Sequence, residues 1–364
     1  MKKIYFFLPT LNVGGIERVF ITYANYFSEN NLFNVSFLLC KKDGMLLSTV
    51  SSKVRIVDLG NVKLRYSFYK LRKWIRTENP DFILTGGDFP NFVAIISSIG
   101  LKSKVVISQH NYFNIESKRL GIWAYSSNLL MKVLYPKADK IIAISDGIFN
   151  FLKKEIKIKS NNLVKIPNPI NIDTIKKRSN DSINIKLPSK FIVFIGRLSY
   201  VKNLPFLIEA FECANLDDDV HLVVVGNGEM KGILEEKVHL CQKKNKILFM
   251  GSFDNPLPIL KRASLLVLPS FSEAYPTILL EALCLNVPIL ATPTKGALEI
   301  LENIPGTFIS KDCYDTNAFS SLLEKGIKSS LHLKKATMRV NLHSVDIIGK
   351  KIKFEILDEH ESFS

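Results

Sequence analysis

The 364-residue sequence has little cysteine. Its five residues, Cys40, Cys213, Cys241, Cys284 and Cys313, are scattered, odd in number and form no CxxC pair. That excludes a disulfide-stapled fold and a cysteine-built zinc site, and it fits a reducing compartment. No apolar run approaches the roughly 18 residues that a membrane-crossing helix needs. The opening Met1-Lys2-Lys3-Ile4-Tyr5-Phe6-Phe7-Leu8 imitates a signal peptide, but Pro9, Thr10 and Asn12 cut the run short and no small-residue cleavage site follows. It reads instead as a first strand. Short-period repeats are absent. Acidic residues are scarce in the first half: residues 1–170 carry 25 Lys+Arg against 11 Asp+Glu, while the remainder carries 24 against 23. A nucleic acid, an anionic membrane surface, a phosphorylated acceptor or plain solvation all suit a basic surface. No nucleic-acid recognition motif accompanies it, so the expected partners do not include nucleic acid.

What is present is a globular pattern, with 47% hydrophobic residues in a chain too long for one ordinary core. Short apolar runs read as strands at Lys3 to Leu8, Val35 to Leu39, Val54 to Leu59, Phe82 to Leu84, Val105 to Ser108 and Ile141 to Ile144. Helical spacing falls between them: Ile16, Val19, Phe20, Tyr23 and Phe27, then Tyr66 to Arg76, Phe92 to Ser98 and Trp123 to Leu134. Pro167-Asn168-Pro169 breaks the pattern, and the polar stretch Asn171 to Lys190 reads as a linker. Strands resume at Phe191 to Ile195, Leu222 to Val225, Ile247 to Met250, Leu265 to Leu268 and Pro288 to Ala291. The alternation predicts an α/β chain of two tandem, doubly wound, Rossmann-like domains. The expected boundaries are 1–170, 171–344 and a helical segment at 345–364, Val345 to Leu357 packing back across the linker.

Ligands of open parallel sheets bind at the carboxyl ends of strands. The stretch after Leu265 to Leu268 carries Glu273 and Glu281 on either side of Pro276. Proline suits a first helical position, so Glu273 falls on the loop and Glu281 within the helix. A separation of roughly 12 Å along a continuous helix is too far to share a proton. It suits the two ends of one extended ligand, or simply the preference of acids for a helix N-terminus. Gly196-Arg197 and Lys202 follow Phe191 to Ile195, where Arg197 can fork to phosphate and Lys202 can add a compact charge. Gly14-Gly15, Gly226-Asn227-Gly228 and Gln109-His110 each end a strand; alone, they read as turns and a structural histidine. Asp217-Asp218-Asp219 contains a metal-like Asp-x-Asp but precedes its strand, at the wrong end of the sheet.

Ser272-Glu273-Ala274-Tyr275-Pro276 through Glu281-Ala282-Leu283, with Gly196-Arg197 and Lys202, resembles the Glu-x7-Glu and Gly-Arg…Lys motifs of the GT4-type retaining glycosyltransferases, which have the GT-B fold. Ala274 departs from the family's usual glycine. The resemblance covers most of the chain and is stronger in the second half. It implies two Rossmann-like domains facing a cleft and transfer of a sugar from a nucleotide diphosphate donor, a uridine diphosphate sugar on family frequency, to an acceptor hydroxyl. It implies that Glu273 faces the donor sugar and diphosphate and that Glu281 binds the ribose. Arg197 and Lys202 take the diphosphate charge. Gly15, Gly196, Gly226 and Gly228 line the donor, and His110 lies near the reaction centre. No cofactor and no metal are expected. The expected acceptor is a glycan or a polyprenyl-diphosphate-linked sugar of bacterial surface polysaccharide synthesis. The expected location is cytoplasmic, peripheral at an anionic membrane. There Lys63, Arg65, Lys70, Arg72, Lys73 and Arg76 interleave with Phe68, Leu71, Trp74 and Ile75, whose apolar stripe suits an interfacial helix and equally a core, with a second basic group at Lys153, Lys154, Lys157 and Lys159. A sugar-nucleotide epimerase of the same fold, with His110 as its acid/base, and a non-catalytic partner subunit are the alternatives.

Overall fold

A computed structural model of the chain describes residues 1–111 and 122–357. It divides into two units, residues 1–169 with the segment from His343 onward, and residues 170–342. The first unit is built on β1 (Lys3–Leu8), β2 (Asn34–Leu39), β3 (Arg55–Asp58), β4 (Phe82–Gly86), β5 (Lys104–Gln109), β6 (Lys140–Ala143) and β7 (Leu163–Lys165). They form one sheet in the order β3-β2-β1-β4-β5-β6-β7, every pairing parallel. Parallel sheets are covered on both faces, so their strands are apolar throughout rather than alternating. Ile4 to Leu8 and Val105 to Ile107 are accordingly buried along their whole length. Around them lie α1 (Gly15–Glu29), α2 (Ser67–Glu78), α3 (Asp88–Ser98), α4 (Ile122–Leu134) and α5 (Asp146–Phe151). The stripe anticipated on α1 faces the sheet, with Val19, Phe20, Tyr23 and Phe27 buried.

The second unit repeats the plan with β8 (Lys190–Ile195), β9 (Val220–Val225), β10 (Ile247–Gly251), β11 (Leu265–Leu268), β12 (Ile289–Ala291) and β13 (Thr307–Ile309), again all parallel, in the order β10-β9-β8-β11-β12-β13. Its helices are α6 (Ile172–Arg178), α7 (Leu204–Cys213), α8 (Lys231–His239), α9 (Leu257–Arg262), α10 (Thr277–Cys284), α11 (Lys295–Leu301), α12 (Thr316–Gly326) and α13 (Leu333–Leu342). In both sheets the strand order reverses beside the first strand, between β1 and β4 and between β8 and β11. Such a reversal opens a crevice at the carboxyl edge.

One expectation is corrected, and one open alternative is decided. The stretch from Asn171 to Lys190 is not all linker, because its first third is α6. Asn171 caps that helix by accepting from Thr174 N at 2.9 Å, and Ile175 turns inward against α9 and α10. Two isoleucines in seven residues, only one of them buried, were too weak a signal beside the lysines. Nor does α2 present Phe68, Leu71, Trp74 and Ile75 as one outward face. Leu71 and Ile75 are core side chains, and the Trp74 ring lies 4.7 Å from that of Tyr5. The 3.6-residue period marked the buried stripe of an ordinary surface helix.

After α13 the chain returns to the first unit. There α14 (Val345–Ile352) lies along α1. Gly349 makes the approach possible, since a Cβ on it would stand 2.4 Å from the Tyr26 ring. Val345, Ile348, Ile352, Ile356 and Leu357 are buried there, and Lys351 donates to the carbonyl of Lys165 at 3.0 Å.

Candidate functional site

The crevice beside β8 collects most of the residues singled out from the sequence. Leaving β8, the chain passes through Gly196 and the exposed Arg197, then bonds across to the loop after β9, with Leu198 N donating to Asn227 O at 2.9 Å and Met230 N to Leu198 O at 2.9 Å. The two loops touch backbone to backbone. Gly226 has φ +147°, and a Cβ there would fall 1.8 Å from Gly196 O; one on Gly228 would fall 2.3 Å from Leu198 O. Only glycine permits either approach. These two glycines therefore join the β8 and β9 loops to each other.

Lys202 follows on the same loop, ahead of α7. Its ammonium donates to Glu273 Oε1 at 2.5 Å, across from the loop after β11. Ser270 Oγ donates to the same oxygen at 2.6 Å. The Ser270 carbonyl accepts from Thr292 Oγ1 at 2.5 Å, and the Glu273 carbonyl accepts from Gly296 N at 3.1 Å. The carboxylate is thus held from two loops and its backbone from a third; the side chain is 11% exposed, and Oε2 has no partner among the described residues. Sequence reasoning gave Ser270, Thr292 and Gly296 no role. A Pro-Ser pair three residues before a loop glutamate was the available signal for the first.

Pro276 stands one position earlier than expected, as the extended residue immediately before α10, and Glu281 is half-buried at the fifth position of that helix. Asp217 and Asp218 pair with Lys190 and Lys246 at 2.6 and 2.7 Å, ahead of β9. Among the described residues no three His, Cys, Asp or Glu side chains gather as a metal site.

In the first unit, Gly15 is the first residue of α1, with open space where a side chain would be. Glu17 folds back over Gly14, its carboxylate 2.1 Å from where a Cβ would stand. His110 follows β5 beside the ring of Phe20, their centroids 6.1 Å apart. Burial holds its imidazole at a pKa of about 3, and its Nε2 has no hydrogen-bond partner among the described residues. The turn around it is clamped. Gln109 Nε2 donates to Asp88 Oδ1 at 2.7 Å and to Asn111 O at 2.9 Å, while Gln109 Oε1 accepts from the fully buried Tyr135 hydroxyl at 2.5 Å. A histidine of so low a proton affinity is a poor base at neutral pH, which counts against the epimerase alternative.

The chain matches two family models in succession, glycosyltransferase family 4 over residues 13–174 and glycosyl transferases group 1 over residues 175–340. It is 32% identical, over 64% of its length and 61% of the relative's, to an uncharacterised glycosyltransferase of Methanocaldococcus jannaschii. It is 28% identical to an α-1,4-N-acetyl-D-galactosaminyltransferase of Campylobacter jejuni that acts on a diphosphoundecaprenol-linked oligosaccharide; that alignment covers 89% of this chain and 88% of the relative. Among solved structures, Anabaena HepE in complex with UDP and glucose superposes with a TM-score of 0.79 at 16% identity, over 99% of this chain and 100% of that one. With both halves matched in order, and with two parallel Rossmann-like sheets to match, the chain belongs to the group 1 glycosyltransferases of the GT-B fold.

Proposed function

We propose that the protein transfers a hexosyl or N-acetylhexosaminyl group from a uridine diphosphate sugar to a hydroxyl of a polyprenyl-diphosphate-linked oligosaccharide, with retention of configuration, in bacterial surface polysaccharide synthesis. The observation that carries the reading is the Lys202–Glu273 pair at the strand-order reversal of the second sheet. An ammonium has three protons. One is committed to Glu273, which orients the group and leaves others for the donor's phosphate oxygens. Glu273 Oε2 is then placed for a sugar hydroxyl, and Glu281 for the ribose. Exposed Arg197 adds a planar fork to the diphosphate. As the glycosidic bond breaks, negative charge builds on the departing diphosphate, and these two cations stabilise it without having to reorganise. With that charge met by protein cations, no divalent metal is called for. The side-chain-free positions Gly196, Gly226 and Gly228 line the same diphosphate and nucleotide. The acceptor class follows the activity of the Campylobacter relative, and the uridine nucleotide follows the HepE complex.

The acceptor's lipid places the reaction at a membrane. Among the described residues no helix is long and apolar enough to cross one, so the reading is peripheral attachment through the basic first unit. On its surface Tyr66, Phe68, Tyr69 and Phe89 are exposed beside Lys63, Arg65, Lys73 and Arg76, on and around the adjacent α2 and α3.

The test is release of UDP from a panel of UDP-sugars, with and without lipid-linked oligosaccharides, in EDTA. Release stimulated by acceptor, with sugar appearing in the lipid fraction, is the expected result. Isomerised sugar nucleotide would establish the epimerase. Absence of any nucleotide binding would leave a non-catalytic subunit, and a strict need for added Mn²⁺ or Mg²⁺ would overturn the metal-free mechanism.

A further inference from the structure

Three aromatic rings from three separate strand-end loops meet at the carboxyl edge of the second sheet. Tyr200 follows β8, Phe271 follows β11 and Tyr314 follows β13. The Phe271 ring touches both neighbours, its centroid 5.3 Å from that of Tyr200 and 6.0 Å from that of Tyr314, with interplanar angles of 34° and 35°. Tyr200 is 49% exposed and Tyr314 76%. Single exposed aromatics are unremarkable, but a cluster of them marks a binding surface.

The cluster is built rather than accidental. Phe271 N donates to Val201 O at 2.8 Å, which locks the Tyr200 loop to the Phe271 loop. Asn203 Nδ2 donates to Cys313 O at 3.2 Å, which ties the Tyr314 loop to the same place. Asp312 Oδ1 accepts from Tyr314 N at 2.8 Å and from Asp315 N at 2.9 Å, which fixes the turn that presents the ring. The cluster is also continuous with the candidate site. Tyr200 lies two residues before Lys202 and Phe271 two residues before Glu273, so the ring surface and the ion pair ride on the same two loops.

We infer that Tyr200, Phe271 and Tyr314 form a stacking ledge for a pyranose ring of the acceptor saccharide. The inference rests on the transferase reading above. A pyranose has an apolar face of C–H groups and a rim of hydroxyls. The C–H face meets the negative face of an aromatic ring favourably, and phenol hydroxyls at both ends of the ledge can meet the rim. The ledge carries no charge of its own, whereas the adjacent ion pair does. That division suits an acceptor sugar lying beside a charged donor. A nucleobase would also stack on such rings, so the measurement has to separate the two.

The experiment titrates the full chain, with UDP present, with soluble di- to pentasaccharides of hexoses and N-acetylhexosamines by saturation-transfer NMR, and titrates UDP alone by calorimetry. Tyr200→Ala and Tyr314→Ala are each expected to weaken saccharide binding about tenfold. Tyr314→Phe, which keeps the ring, should stay within about threefold of the parent. UDP affinity should not change in any variant. Saccharide binding that survives both alanine substitutions overturns the ledge. So does a parallel fall in UDP affinity, which would make it a nucleobase site, and so does failure of the parent protein to bind any of these saccharides while it binds UDP. Failure of the parent to bind UDP would instead overturn the donor assignment.

Discussion

Lys202 and Glu273 are 24% and 11% exposed, enough burial for the pair to keep its geometry and enough opening for a ligand to reach it. Removing the lysine leaves Glu273 held by Ser270 alone. Lys202→Ala and Arg197→Ala should each lower kcat more than they raise KM, because the charge they meet develops only in the transition state. Steady-state kinetics on the UDP-release assay decides it, and a change confined to KM would remove both from the leaving-group role. His110 supports a second prediction. Its pKa of about 3 in the fold compares with about 6.5 in an unfolded chain. Above pH 6.5 both states are neutral there and stability is flat. As pH falls below that value the unfolded chain takes up a proton that the fold refuses, so stability declines by up to about 1.4 kcal/mol per pH unit. His110→Met should flatten that part of the curve, as read by urea denaturation from pH 7 to pH 4. An unchanged slope would mean that the imidazole titrates normally.

At the scale of elements, the loops after β8 and β9 depend on two side-chain-free positions. Gly226→Ala forces a Cβ onto a backbone oxygen at a positive φ. The expected cost is roughly 2–4 kcal/mol, and UDP binding should fail with it. Differential scanning calorimetry and nucleotide titration test this together, and a variant with parental melting temperature and UDP affinity would show that the loops are not joined this way. How much the sequence disclosed also divides by element. The buried parallel strands were legible because an all-apolar run between polar loops has few other meanings. Two of the four edge strands, β7 and β13, were not: they have three residues each, and those of β13 are only half-buried. Of the helices of the second unit only α10, which carries Glu281, was marked; α8, with Leu234 and Val238 as its buried residues, offers little periodicity to read. The Glu273 and Lys202 positions were legible from motif spacing, but their direct contact was not. Nothing in spacing shows that loops 71 residues apart meet. The lysine-rich α2 stayed ambiguous because an amphipathic period is the same whether its apolar stripe meets a core or a bilayer.

The whole molecule is lopsided in charge, with the basic excess in residues 1–170. Each basic residue near an anionic surface contributes about 1 kcal/mol, weakened by salt. Co-sedimentation with liposomes should therefore occur with anionic vesicles at low salt and fall off at high salt. Equal binding to neutral vesicles, or none to anionic ones at low salt, would favour a soluble acceptor. The second whole-molecule feature is the return of α14 to α1. The five buried apolar side chains of α14 and the turn after it each contribute about 1.5–3 kcal/mol, a total comparable with the roughly 5–15 kcal/mol that keeps a domain folded. A chain ending before His343 should lose the melting transition of the first unit and keep that of the second. Two intact transitions would show that α14 is dispensable.

The same return has a consequence for the protein's making. A ribosome emits the first unit's sheet early, but the helix that covers α1 only after the whole second unit has been synthesised. At usual elongation rates that is roughly ten to forty seconds. Over that interval Tyr26 and its neighbours on α1 stand uncovered on the nascent chain, and the second unit has its last residue before the helix that completes the first is made. The half of the molecule that is written first is the half that is finished last.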